Sequence, residues 1–415
     1  APSSSPSVPL LASVPSDSIA WSLDSSSPLQ EARNKFTLLP QSDGTIWGAK
    51  VRANYTINDK QTWMMGAEYN YVKSESRTDY TPADKGTSTH SITKENHAAV
   101  FAEYSLDFKP FSLRVGLRYE HVDSRLDYLK DETASTEPLH RKYDNLYPSL
   151  LLSHQSGRFS QSLSYRSSEI RPSFQELNTG TVYANRDLCQ IGNSQLEPAQ
   201  RYEFKYQASY GDLFVQASYT YVKDYITSII EPDSDDPQTG YITWTNIDHC
   251  WNWGSFLGYR HRWGFYEPQV QAGIQQGFIK AVSMGKEKSF HDPYYIFSLY
   301  NGFHLPKGWY MNLSFSYRSS GTYDFLTLCS VHNFDFQLYK SFLKDRLSLS
   351  LNVNDIFNTK RQKTDGTYGN VRFQQQKWVD TRSVQLRLTY RFNQAKKQYR
   401  GENSAQEAVG RMGGK

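Results

Sequence analysis

Three cysteines in 415 residues, Cys189, Cys250 and Cys329, are too few and too widely spaced for a disulfide scaffold or a zinc site, and at most one intrachain bridge can form. Long hydrophobic runs are missing as well. No stretch of about 18 apolar residues occurs, which excludes an ordinary transmembrane helix. An excess of one charge is lacking too: 46 Lys and Arg stand against 42 Asp and Glu. These charges are dispersed, many at alternate positions, and give no case for nucleic acid as a partner. The opening APSSSPSVPLLASVP has neither the basic start nor the long apolar core of a signal peptide, so export requires a leader already removed.

Chemical motifs are equally scarce. There is no Gly-rich loop ending in Gly-Lys-Ser or Gly-Lys-Thr and no HExxH. His249 beside Cys250, and His291 beside Asp292, supply two candidates each where a metal site needs four ligands. No nucleophile and base are placed together. The reading is therefore of a protein that is not an enzyme, with no cofactor and no metal.

What the chain does have is alternation of period two. In RSVQLRLTYRF, Val384, Leu386, Leu388, Tyr390 and Phe392 alternate with Gln385, Arg387, Thr389 and Arg391, putting apolar and polar side chains on opposite faces of a β-strand. The same row runs through Trp47, Ala49, Val51, Ala53, Tyr55 and Ile57. It recurs in Ala98, Val100, Ala102, Tyr104, Leu106 and Phe108, in Leu113, Val115, Leu117 and Tyr119, and in Tyr202, Phe204, Tyr206, Ala208 and Tyr210. A mean hydropathy of −0.68 suggests a soluble protein, but a membrane β-barrel hides its signal because half of every strand and all loops are polar. Aromatic residues, 15% of the chain with 30 Tyr, suit interfacial girdles. The fold class expected is all-β, a transmembrane antiparallel β-barrel in outer-membrane lipid.

The spacing predicts hairpins over 45–57 and 61–73, 96–107 and 111–128, 144–155 and 158–168, 199–210 and 213–229, 246–262 and 264–278, 291–303 and 308–318, and 331–342 and 345–356. A closing strand follows at 380–392. Short turns alternate with long loops at 75–94, 130–142, 169–197, 230–243, 279–290, 319–330 and 358–378, as in a bacterial outer-membrane barrel with short periplasmic turns and long outer loops. A strand of about 12 residues rises about 40 Å and, tilted by about 40°, spans an apolar band of about 25 Å. Residues 1–31, rich in Ser and Pro, read as a flexible segment, 32–392 as the barrel region and 393–415 as a basic periplasmic tail. Fifteen strands conflict with the usual even number. Either 32–40 supplies a sixteenth, or the chain is the C-terminal part of a larger barrel.

On the polar rows, Lys50, Arg52, Glu68, Arg114, Arg118, Glu120, Glu203, Lys205, Arg387 and Arg391 are the candidates to face the lumen. An internal polar network that holds the wall together is the first reading of them, and direct ligand contact the second. Tyr183, Asn185, Arg186, Asp187, Trp251 and Trp253 are candidate contacts in outer loops, where exposed aromatic and charged residues are also ordinary. Asn352, Asn354, Asp355, Asn358 and Arg361 read as turn residues with local Asx hydrogen bonds rather than calcium ligands.

Taken together, FAEYSLDF at 101–108, RPSFQELN at 171–178, GNSQLEPAQRYEFKY at 192–206, LSLNVNDIFNTKR at 349–361 and TYRFN at 389–393 resemble the C-terminal barrel region of TonB-dependent outer-membrane receptors, particularly the β-barrel family common in Bacteroidetes. The resemblance implies a 22-stranded barrel with an N-terminal plug domain, energised through the TonB system to import a scarce ligand such as an iron chelate, vitamin or glycan. No plug-sized stretch precedes these strands in the sequence. The alternative is a plugless structural or assembly component that binds envelope proteins. Barrels with hydrolase sites and soluble β-rich binding proteins are further competing classes.

Overall fold

The computed structural model describes residues 37–81, 88–130, 133–134, 139–183, 188–232, 240–283, 286–360, 362–368, 371–377, 380–392 and 410–411. Among them, fifteen strands of eight or more residues form one curled antiparallel wall. They are β1 (Thr37–Asn58), β2 (Gln61–Thr81), β3 (Thr89–Phe108), β4 (Phe111–Lys130), β5 (Leu139–Ser156), β6 (Phe159–Ile170), β7 (Ala199–Tyr210), β8 (Leu213–Pro232), β9 (Gly240–Arg260), β10 (Tyr266–Ser283), β11 (Tyr294–Leu305), β12 (Trp309–Arg318), β13 (Val331–Phe342), β14 (Leu347–Asn354) and β15 (Ser383–Tyr390). Each pairs with its neighbours in sequence, so the connections are hairpins and the topology is a meander.

The predicted hairpins are all present, but the first strands run well past their expected ends. β1 and β2 pair from Asn58–Gln61 as far as Thr37–Thr81, and β3 begins at Thr89. The polar stretch Glu75 to Thr78, expected as the start of the loop at 75–94, continues the ladder, because backbone pairing needs no apolar face. This settles the status of 32–40 for its described part. Thr37–Pro40 is the outer end of β1 rather than an additional strand. Among the described residues, β1 pairs only with β2 and β15 only with β14, so both margins of the wall are open. The Ser/Pro-rich 1–31 lies outside the described residues.

The alternating rows sort as expected. Outward-facing Trp47, Val51, Leu117, Leu146, Phe204, Leu257 and Leu386 belong to one exposed apolar surface, the mark of a face that meets hydrocarbon. The other face is concave and carries the buried residues. Three apolar clusters lie there, including Leu126 with Leu177 and Leu196, and Cys250 with Val222, Ile279, Phe290 and Phe325. In β8 the inward row changes from even positions (Thr220, Val222) to odd ones (Thr227, Ile229) across Asp224, which has φ +54° and, like Asp248 opposite, drops out of the pairing. Asn246 braces this irregularity by donating to Asp224 O at 2.7 Å.

Asp355, 1% exposed, closes the last outer turn. Its carboxylate accepts from the Thr359 and Lys360 amides at 2.9 and 3.1 Å and from the Thr381 hydroxyl at 2.5 Å, tying the end of β14 to the start of β15. This is the Asx role read from the sequence, extended across the turn. Asn354 instead reaches over to Ser383 Oγ at 3.0 Å, and Arg361 lies outside the described residues. Asp355→Ala leaves three donors unanswered and is expected to lower unfolding free energy by about 2–4 kcal/mol, read as the urea midpoint of the detergent-solubilised protein. An unchanged midpoint would show that the turn is held by other means.

Candidate ligand-facing inner wall

Within the outer loop expected at 169–197, Phe174–Leu177 and Leu196 fold onto the inner face, while Leu188–Gln190 pair in parallel with Gly240–Ile242 of β9. A four-residue helix, α1 (Phe174–Leu177), carries a capping box: Ser173 Oγ accepts from the Glu176 amide at 3.3 Å and Glu176 Oε2 from the Ser173 amide at 2.7 Å. Phe174 packs on Val72 of β2, and Leu177 and Leu196 pack on Leu126 of β4. Gly192 donates to Asn178 O at 2.9 Å, and a Cβ there would lie 2.2 Å from that oxygen, so this crossing admits only glycine. The two motifs RPSFQELN and GNSQLEP are thus the halves of one inward-folded unit, and its first residue is Arg171.

Arg171, buried at 5% side-chain exposure, reaches Glu95 at 2.9 Å, Glu169 at 3.3 Å and Glu120 at 3.6 Å. The pairs continue along the wall through Arg118, which bridges Glu120 and Glu68, the latter at 3.4 Å, to Lys50 at 3.9 Å from Glu68. His97 lies 3.1 Å from Glu120, and Glu169 accepts from Tyr147 and Asn145, each at 2.6 Å. Beside this line opens a cavity of about 740 Å³ bounded by β1 to β7, with Lys50, Arg52, Glu68, Arg118, Glu120 and Glu203 in its walls. Paired charges at fixed positions present a ligand with both donors and acceptors.

A second cavity, of about 180 Å³, lies under the hairpin Gly321–Leu328, which also folds inward. Phe325 meets Phe290 edge-on at 5.6 Å. Asp324 accepts from the Tyr225 hydroxyl at 3.2 Å. Burial pushes the Asp324 carboxyl above the usual carboxylate range, with the Tyr225 bond opposing that shift only in part.

These observations describe a membrane wall with a charged interior. Residues 21–390 match the family model of the outer membrane protein beta-barrel family. The chain belongs to that family. It is a protein of the bacterial outer membrane, and its architecture is that of a many-stranded outer-membrane barrel. Solved structures of similar fold include the copper transporter OprC (TM-score 0.62, 14% identity, 86% of this chain and 58% of that one). Others are the ferric yersiniabactin uptake receptor FyuA from Yersinia pestis (0.58, 14%, 85% and 54%) and the siderophore receptor PiuA from Acinetobacter baumannii (0.57, 13%, 85% and 56%). The chain spans little more than half the length of each. A search of curated proteins finds no match.

Within this family wall the predicted residues divide. Lys50, Arg52, Glu68, Arg118, Glu120 and Glu203 share the cavity of about 740 Å³. Arg114 pairs with Glu103 at 3.2 Å, and Lys205 with Glu203 at 2.9 Å. Arg387 and Arg391, on and just beyond β15, are exposed and do not line that cavity. Trp251 and Trp253 require correction: they are not loop residues but lie within β9 on the outward row of Leu257. Trp251 stacks on Phe278 at 5.4 Å, and Trp253 donates to Gln276 at 3.1 Å. Tyr183 ends a short strand paired with Cys189, while Asn185, Arg186 and Asp187 lie outside the described residues. His249 and Cys250, neighbours on one strand, sit on opposite faces, with His249 on Asp248 at 2.7 Å and Cys250 in the inner cluster. No disulfide joins the three cysteines among the described residues.

The residues missed were Glu95, His97, Tyr147, Glu169 and Arg171. Glu95 and His97 continue the same odd row as Glu103 and Asp107, and carrying the alternation eight residues further out from Glu103 reaches both. Replacing Arg171 by Ala is expected to destabilise the detergent-solubilised barrel by about 3–5 kcal/mol, since it strands buried carboxylates. A heat-modifiable gel shift at the wild-type temperature would refute that. The raised Asp324 group makes the fold bind its proton more tightly than the unfolded chain, so stability falls as pH rises from the ordinary value of 3.8 through the raised one. Amide protection of the Gly321–Leu328 hairpin should decline over that window and stay level in Asp324→Asn.

Proposed function

We propose that this chain is the C-terminal barrel region of a TonB-dependent uptake receptor, of the kind common in Bacteroidetes. The observation that carries the reading is a long-stranded wall with a charged inner face and, among the described residues, two open margins, β1 and β15. An open margin inside a bilayer leaves a row of peptide groups without partners, at several kcal/mol each. Further strands joining β1 to β15 would close the barrel, bringing it toward 22 strands. The share of the transporter structures that this chain covers supports that reading.

In this reading a plug domain fills the closed barrel and contacts the TonB system, and Lys50, Arg52, Glu68, Arg118, Glu120 and Glu203 line the route past it. Their mixed signs suit a ligand rich in hydrogen-bonding groups, such as an iron chelate, a vitamin or a glycan. No enzymatic step is assigned to them. The test is growth of a deletion strain with candidate nutrients supplied one at a time at limiting concentration. Loss of the protein and loss of the energising system should abolish uptake of the same nutrient. Normal uptake of every candidate, with loss of another envelope protein from the membrane, would favour a structural or assembly role instead.

A further inference from the structure

Arg411, in the basic tail expected to lie in the periplasm, is found on the inner wall. Its Nη1 donates to Glu95 Oε1 at 2.6 Å, its Nε to the Pro172 carbonyl at 3.1 Å, and its guanidinium carbon lies 4.7 Å from the centre of the Phe174 ring. The side chain is 10% exposed, and it borders a cavity of about 30 Å³ beside Leu126, Arg141 and Arg171. Three different groups thus meet one planar cation: a carboxylate, a carbonyl and an aromatic face, the combination that a guanidinium fits and an ammonium fits poorly.

The charges around it give the same answer. The run of ion pairs from Lys50 through Glu68, Arg118, Glu120 and Arg171 to Glu95, with Glu169 on Arg171, joins four carboxylates to three cationic side chains. Arg411 supplies the fourth cation at the end of that run. Arg171 already donates to Glu95 Oε1 at 2.9 Å, so the same oxygen accepts from two arginines.

Reach permits this. Tyr390 pairs with Leu347 at the short-turn end of the wall, whereas Glu95 stands thirteen residues from Phe108 at that end of β3, or about 33 Å up the tilted strand. The chain between Tyr390 and Arg411 can extend to about 70 Å.

We infer that Glu95, the Pro172 carbonyl and Phe174 form a guanidinium-binding site on the inner wall, occupied by Arg411 of the chain's own C-terminal tail. An arginine-bearing peptide entering the barrel competes with the tail for this site. The inference is independent of transport, so it stands or falls apart from the uptake reading.

A Cβ at Gly410 meets nothing within 4 Å, so a photoreactive benzoylphenylalanine fits there beside an intact Arg411. Irradiation of the full-length protein in native outer membranes, followed by peptide mapping, should join position 410 to residues 171–177 or to β3. Arg411→Ala should cut the yield about tenfold or more, the effect of losing charge-assisted bonds, and Arg411→Lys should recover part of it. With Arg411 intact, millimolar N-acetylargininamide should lower the yield and N-acetyllysinamide should not. Cross-links only to periplasmic turns or other proteins, a yield indifferent to Arg411→Ala, or equal competition by the two amides would each overturn the proposal.

Discussion

A peptide group in hydrocarbon has no water to bond to, and nearly everything in this molecule follows from that shortage. Helices answer it within a segment, but this chain has no segment apolar enough to use that solution. It must therefore answer laterally, strand to strand, and a strand that pairs laterally exposes its two faces to different media. The exposed rows of Val, Leu, Phe and Tyr and the paired charges opposite them are two results of one backbone requirement. Among the described residues, the same requirement makes the margins at β1 and β15 the least satisfied part of the wall.

The interior is organised by a different economy of contacts. Charges on the concave face are removed from much of the water, so each is held by a neighbour, and Arg171 touches three carboxylates at once. That arginine does not come from the wall. It arrives on an infolded segment whose capping box and Gly192 crossing fix its path. The interior network thus depends on loop structure as much as on strands, and the positions of its side chains are set from both sides.

How much of this was legible follows from the range of each signal. Alternation reports a strand's faces directly, and Val384 to Phe392, Trp47 to Ile57 and Ala98 to Phe108 gave both the strands and their orientation. Lys50, Glu68, Arg118 and Glu120 could be set on one face for the same reason. Strand ends were less visible, because Ser74 to Thr78 carry a ladder without a hydrophobic row, and Glu95 and His97 were lost with them. Trp251 and Trp253 fall inside the strand expected at 246–262, and reading them as loop aromatics set residue type above the alternation that puts them on the outward row of Leu257. Contacts between distant segments leave no periodic trace. Nothing near Arg171 or Arg411 in the sequence points to Glu95, and only the folded chain brings them together.

Asp224 shows how local such a code is. Below it β8 is written with even positions inward, and above it with odd ones, so the strand carries two reading frames joined at one left-handed residue. The lower frame answers to the bilayer and the upper one to the packing of infolded loops. Because the shift is made in the backbone rather than by inserting a residue, the pairing with β9 keeps its register on both sides. The outer part of the wall can therefore vary its inward side chains to suit new loops, while the alternation that meets lipid below stays in step.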